Sequence, residues 1–501
     1  MNLVPPSQLQ QNFHPLEVIL KSVERLNFKS LIQDLYTMEL NRIISKLTDP
    51  KLSAVDQYKS IEERDEIKEK LSKKKVSHRH IVVLGLNHIF SVAKSQGLGL
   101  CYKNFRCFVF NREYWQQTER NEVEKFLSLA FEKMGVVLDS RYHQFQKDAF
   151  LQFIAEGSNL DISKKDDSIT INLRNGTFVI NKQNYFLRSF DSTDFLTYKL
   201  PFDFDPEKKS PIFLDYLNDV LPEKDAQLVL AEYIASVFIK SEHLKLEKTL
   251  LLHGQGANGK SVFFEVINNL LGNENVCSYS LQSLTDSSGY YRAKIENKLL
   301  NYSTEISYKH DLSIFKLLSS GEPVEARSPY HEPFLIKNYA KLIFNCNELP
   351  KDIEHTNAFF RRLIIINFNK VIPADKQDNL LANKIIENEL SGVFNWVLEG
   401  LNRLIGQKGF TQSKTLEDIL YEYKIESDTV QLFLREEEYE KSTSSHILYK
   451  DFYSNYRAYC VSSGHRPCSK HTFGLRLKNL NFEFRRLNTG NVVYVQKTYS
   501  S

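Results

Sequence analysis

Apolar residues recur along this chain with two spacings, helical at the ends and strand-like in the middle. Near the N-terminus, LEVILKSVERL and SLIQDLYTMELNRIISKL carry them three and four residues apart, which predicts two amphipathic helices. IEERDEIKEKLSKKK follows, charged nearly all round, and reads as an exposed helix or linker with a boundary near residue 75; Lys73, Lys74 and Lys75 are then a solvated face. From His80 the pattern is mixed. HIVVLGLNHIFSVA, RCFVFNREYW and NEVEKFLSLAFEKMGV predict a small α/β unit, and DSITINLRNGTFVINKQNYFLRSF alternates apolar and polar residues about an Asn175-Gly176 step, a hairpin signal. The segment from Lys199 to Phe238 then predicts helices. It contains Asp203 and Asp205 in a D-x-D spacing that suits a catalytic metal pair, but Pro201 and Pro206 bracket them as a loop and no third carboxylate sits on a matching strand.

The pattern sharpens at Lys248. Thr249 to His253 is a short apolar run expected of a buried parallel strand, and from Ser261 helical periodicity runs through Phe264, Ile267, Asn268 and Leu271. Between them Gly254, Gly259, Lys260 and Ser261 fill G-x-x-x-x-G-K-S, in the strand-then-helix context that a phosphate loop requires. Glycines let backbone N–H groups turn inward around phosphates, and the helix N-terminus adds partial positive charge. Gly254, Gln255, Gly256, Ala257, Asn258, Gly259, Lys260 and Ser261 are therefore the expected nucleotide-binding residues, with Lys260 on the β- and γ-phosphates and Ser261 on Mg²⁺. ATP and Mg²⁺ are the implied cofactors.

Three further apolar runs follow. Lys298 to Glu305, KLLNYSTE, predicts a strand ending in an acid, where a carboxylate can polarise the attacking water and help to fix Mg²⁺. Ala340 to Phe344 predicts another, ending at Asn345-Cys346-Asn347, where a polar side chain faces the crevice of an open α/β sheet. Phe359-Phe360-Arg361-Arg362 precedes the apolar strand LIIINF; an arginine placed there across a subunit boundary would act on the γ-phosphate. In the tail, SHILYKDFYSNYRAYCVSSG reads as a helix, SKHTFGLRLKNL as a second capped by Ser469, and FEFRRLNTGNVVYVQ as a hairpin turning at Thr489-Gly490. Phe473 and Leu477 would face the core, leaving Lys470, His471, Arg476 and Lys478 more exposed and Arg485 and Arg486 on the hairpin, as contacts to phosphate.

Composition adds limits. A chain of 501 residues suggests about three domains, and 42% hydrophobic residues suffice for sizeable cores. The sequence has no apolar stretch of membrane-spanning length, and MNLVPPSQLQ lacks the features of a signal peptide; a reducing cytoplasm is the expected location. The six cysteines form no C-x-x-C pair, and Cys460, His465 and Cys468 lack a zinc-binding arrangement. The net charge of +3 hides an asymmetry. From Lys441 to Ser501 ten Lys or Arg face two acids, Asp451 and Glu483, a net of +8 that leaves about −5 elsewhere. Such a tail fits a polyanion.

The phosphate loop, acid strand, polar strand end and paired arginines, in this order, resemble a superfamily 3 helicase of the poxvirus and phage/plasmid primase-helicase type. NLRNGTFVI and LPFDFDP look like the segment that this family places before its ATPase, FKLLSSGEPVEARSPYHEPF like the segment between acid and sensor strands, and KLIFNCNELP and FFRRLIIINF like its sensor and arginine-finger segments. The resemblance implies Glu305 as catalytic carboxylate and Mg²⁺ ligand, Asn347 as the sensor that orients water, and Arg361 or Arg362 acting in trans. It further implies Lys316, Arg327 and His331 as grips on DNA in a central channel. The acid strand departs from the family in ending Thr304-Glu305 rather than in two adjacent acids, and in the interruption by Asn301.

The expected fold class is α/β: a P-loop AAA+ type ATPase core with a mainly helical N-terminal region, a small α/β preamble domain and a C-terminal winged-helix domain. The expected divisions are 1–78, 79–245, 246–405, a helical linker over 406–430, and 431–501. The N-terminal part is too short and too helical for a fused polymerising domain. The expected function is that of a replicative, ATP-dependent DNA helicase of a phage, plasmid or mobile element, a homo-oligomeric ring, expected to be a hexamer, on single-stranded and forked DNA. A separate primase or polymerase and no membrane complete its partners. The alternative is an origin-binding initiator ATPase that melts or loads without processive unwinding.

Overall fold

The computed structural model describes residues 14–47, 53–73, 76–137, 142–158, 168–181, 185–304, 311–329, 332–350 and 356–498. The chain divides into two compact units between Lys199 and Leu200, inside the stretch from 79 to 245 expected to run together. No helix among the described residues is long and apolar enough to cross a membrane.

In the first unit the helices follow the three- and four-residue spacing. Pro15–Ser22 buries Leu16 and Ile19, and His78–Ser95 buries Val82, Leu86, Ile89 and Ala93 on one stripe. These meet Phe126 and Phe131 of the helix Arg120–Lys133 and Phe150 and Phe153 of Tyr142–Gly157 in one core. Phe28–Leu47 buries only Ile32 and Ile43, and Ala54–Lys73, charged nearly all round, is a solvated helix as its composition dictates. Two antiparallel sheets of three strands complete the unit: Gly99–Lys103, Arg106–Phe110 and Trp115–Thr118, then Ile169–Leu173, Gly176–Ile180 and Tyr185–Arg188. The predicted hairpin turn falls on Arg174-Asn175, because Leu173 pairs with Gly176. Gly176 is required there: its φ is 143°, and a Cβ would stand 2.5 Å from the carbonyl oxygen of Arg188.

The second unit is built on a five-stranded parallel sheet of β1 (Thr249–His253), β2 (Val276–Cys277), β3 (Leu300–Ser303), β4 (Lys341–Cys346) and β5 (Leu363–Asn367), in the spatial order β5-β1-β4-β3-β2. A parallel sheet needs helical crossovers that cover both faces, so its strands are apolar throughout; Leu250, Leu251 and Leu252 of β1 and Ile365 and Ile366 of β5 are buried. Asn301, the polar interruption in β3, is fully buried for a reason. Its side-chain oxygen accepts from Tyr279 N at 2.8 Å and its amide donates to Tyr279 O at 2.9 Å, fastening the segment after the short edge strand β2. The helix after β1, Lys260–Leu271, buries Phe263, Val266, Ile267, Leu270 and Leu271, a face rotated from the predicted Phe264-Asn268 stripe because it packs between sheet and covering helices.

Before β1, helices Pro211–Val220 and Lys224–Ala235 lie against the long helix Leu390–Gln407. Phe213 meets Trp396 edge-on at 5.2 Å, and fully buried Glu232 holds Arg403 Nε at 3.1 Å and the Thr411 amide at 2.8 Å. At the C-terminal end, helices Thr429–Glu436, Tyr449–Ser462 and Lys470–Asn479 enclose an aromatic core of Phe433, Phe452, Tyr456 and Phe473 against a three-stranded antiparallel sheet. Here the sequence reading needs correction. The predicted first helix of the tail begins at Tyr449, and the residues before it belong to the strand Tyr439–Leu448, with His446, Ile447 and Leu448 opposite Tyr494, Val493 and Val492. A long-range partner strand overrides the local helical spacing.

Candidate functional site

The order β5-β1-β4 sets the site. The chain leaves β1 for the far edge at β2, returns through β3 to β4 and crosses β1 to reach β5, so connections diverge on either side of β1 and a crevice opens beyond the carboxyl ends of β1 and β4. The loop Gly254–Gly259 lies there, followed by the N-terminus of Lys260–Leu271 with its orphan N–H groups and positive dipole end. Several contacts hold it. Gly254 N donates to Cys346 O at the end of β4 at 3.1 Å, buried Asn258 donates through Nδ2 to Phe368 O just after β5 at 2.9 Å, and Tyr216 OH donates to Gly259 O at 2.8 Å. Two glycines are dictated by space: a Cβ at Gly254 would stand 2.4 Å from Phe368 O, and one at Gly259, where φ is 88°, 2.7 Å from Val220 Cγ1.

Lys260 is buried, with its ammonium donating to Gly254 O across the loop. Burial pushes its pKa down, opposed by the Cys346 thiol nearby. A desolvated cation that rests on one backbone carbonyl is ready to exchange it for an anion. Ser261 is exposed in the first turn of the helix, Gln255 and Ala257 are exposed on the loop, and Gly256 is half-buried. The arrangement can take a polyphosphate on backbone N–H groups and one ammonium, with a hydroxyl free to bind a hard cation.

Around the loop the expected residues sort by environment. Asn347 is exposed just past the carboxyl end of β4, while Asn345 is buried in the strand and accepts from Tyr302 OH at 3.2 Å. Glu305 and His331 lie outside the described residues. Arg362 is buried and donates to Ser320 Oγ at 3.1 and 3.2 Å and to Ala358 O at 2.5 Å. Arg361 keeps 62% of its side chain exposed, with a distant ion pair to Glu247 at 3.6 Å. Lys316 is half-buried on the helix Leu312–Ser320, and Arg327 is exposed one residue past the strand Val324–Ala326, which pairs with Phe334–Ile336.

A second cluster lies on the C-terminal module. Lys470 and Lys478 sit over the rings of Tyr449 and Phe484 at 5.3 and 5.5 Å, His471 and Arg486 are exposed, and Arg485 bonds Glu483 at 2.7 Å while lying 5.0 Å over Tyr494. Arg476, expected on the exposed face, instead turns inward to buried Asp428 at 2.8 Å. Asp428 caps the helix Thr429–Glu436 and draws the nearest cation. Tyr216, Val220 and the loop-anchoring role of Asn258 carried no signal in the sequence, because each acts through a contact with a segment distant along the chain.

Comparison with known proteins matches three stretches in order. Residues 93–222 match the family described as D5 N terminal like, 252–362 a family of unknown function, DUF5906, and 425–501 the family described as Poxvirus D5 protein-like. Among solved structures, the apo structure of the NrS-1 C-terminal region (305–718) is 12% identical with a TM-score of 0.45, covering 82% of this chain and 98% of that one. An A-form apo structure of the same region is 14% identical with a TM-score of 0.43, covering 66% and 74%.

Proposed function

From the premise that this chain belongs to the D5-like primase-helicase family, we propose that it is an ATP-driven DNA helicase of replication that works as a ring, hexameric by family analogy. The observation that supports this reading best is the strand-loop-helix from Thr249 to Leu271 at the divergence of a parallel sheet, with buried Lys260 poised over the loop. We read the second unit as a P-loop AAA+ type ATPase ending in a winged-helix DNA module.

In this reading the loop N–H groups and Lys260 hold the ATP phosphates. The exposed Ser261 hydroxyl suits Mg²⁺, which prefers hard oxygen donors and, when bound, neutralises charge on the phosphate oxygens. Asn347 orients water beyond β4. The catalytic carboxylate assigned to Glu305 rests on the sequence. The trans-acting arginine is Arg361, because it is exposed and weakly held, whereas Arg362 is committed to its own subunit. Hydrolysis completed by a neighbour's arginine couples each turnover to movement between subunits, and that movement is what separates base pairs costing on average about 1.4 kcal/mol each. Single-stranded or forked DNA is the track, gripped by Lys316, Arg327 and His331, and a separate primase or polymerase supplies synthesis.

The test is subunit mixing. Lys260→Ala and Arg361→Ala each lower ATP hydrolysis and forked-duplex unwinding by about a thousandfold. Mixed together they recover activity that neither shows alone, since an intact site forms between one subunit's Lys260 and another's Arg361. No recovery from mixed and re-associated subunits would rule out the shared site.

A further inference from the structure

Resting on the nucleotide reading above, we propose that the cavity beside the loop seats the base of the bound ATP, with the Glu223 carboxylate accepting a hydrogen bond from the 6-amino group of adenine. The cavity measures about 260 Å³ and is lined by Val220, Pro222, Glu223, Asn367, Asn369 and Lys370, none of which the motif assigns. Both of its walls are continuous with the loop. On one side Val220 Cγ1 lies 2.7 Å from the place of a Gly259 Cβ. On the other, Asn367 Oδ1 is 3.0 Å from Nδ1 of His253, the residue before Gly254, and Phe368 O accepts from Asn258. Farther on, Ile372 N donates to Ala257 O at 2.8 Å. The cavity therefore adjoins the phosphate loop through both of its walls.

The lining selects the kind of group. Exposed Pro222 offers apolar contact to a flat ring, over a floor closed by buried Val220. The ammonium of Lys370 is paired with the Asp219 carboxylate, which links the two walls. Glu223 stands exposed at the start of the helix Lys224–Ala235 and does not cap it through its side chain. An ionised carboxylate repels phosphate and only accepts hydrogen bonds. The ligand of this cavity is thus an uncharged ring with a donor on its edge, which the adenine 6-amino group provides.

The experiment measures binding of ATP and of purine riboside 5′-triphosphate, which lacks that amine, to the full chain and to Glu223→Ala, with inorganic tripolyphosphate as competitor. The wild type is expected to bind ATP about tenfold more tightly than the purine analogue. Glu223→Ala brings the two to near parity while tripolyphosphate competes equally with both proteins, which shows an intact loop. Equal affinity of the wild type for the two nucleotides, or a preference that survives Glu223→Ala, overturns the base site and leaves the loop reading standing. Binding of both nucleotides unchanged by Lys260→Ala overturns the loop reading and the base site together.

Discussion

Arg361 and Arg362 are neighbours in sequence with opposite surroundings. Arg362 is 8% exposed and makes its hydrogen bonds to Ser320 and Ala358, so it joins the start of β5 to the helix Leu312–Ser320. Arg362→Met removes those bonds and leaves a buried hydroxyl unsatisfied, and is expected to lower unfolding free energy by about 1–3 kcal/mol in denaturant titration. Arg361→Ala, exposed and distantly paired, is expected to stay within about 0.5 kcal/mol of the wild type in the same titration. Equal losses in the two variants would contradict this division of labour. The paired arginines were visible in the sequence. Which one is held in the fold was not, because the answer lies in Ser320, some forty residues away along the chain.

At the scale of elements, β4 joins the loop to the rest of the sheet and begins with a lysine in an apolar setting. Burial pushes the Lys341 ammonium down to about 8 from 10.5. Below pH 8 both folded and unfolded chains carry this charge, and the folded chain bears the cost of holding it on a half-buried side chain. Between about pH 8 and 10.5 the folded lysine is already neutral while the unfolded one still binds a proton, so the stability contributed by this group rises with pH. Lys341→Met is therefore expected to stabilise the protein most near neutral pH, with the advantage shrinking toward pH 10.5 in paired denaturation curves. An advantage that stays constant with pH would show that Lys341 is not desolvated. Strands β1, β3, β4 and β5 were legible as apolar runs, since a covered parallel sheet leaves no alternation to obscure them. The strand Tyr439–Leu448 was not, because it is exposed over much of its length and its residues are specified by Gly490–Lys497 rather than by local spacing.

At the scale of the molecule, charge is divided as the tail composition indicates: +8 over the last 61 residues against about −5 elsewhere. In the structure five of the six side chains assigned to DNA there remain on the surface, and Arg476 is withdrawn into an ion pair. If the module contacts duplex phosphates, Lys470→Ala/Arg485→Ala/Arg486→Ala weakens binding and flattens the log–log salt dependence by about two to three, each lost contact contributing close to 0.9. Arg476→Ala should instead act on stability and leave the slope nearly unchanged. A slope unaltered in the triple variant would remove these residues from the interface.

The sequence by itself determined the elements whose information is local: the loop between strand and helix, the apolar strands of the sheet, the solvated helix Ala54–Lys73 and the basic tail. Tertiary structure alone decided the strand order that places the loop at a crevice, the burial of Arg362 beside exposed Arg361, the pairing of half-buried Arg476 with Asp428, and the cavity between Val220 and Asn367. The physical reason is common to these cases. Backbone propensity and apolar periodicity are properties of neighbouring residues, whereas burial, pairing and enclosure depend on groups brought together from segments tens to more than a hundred residues apart.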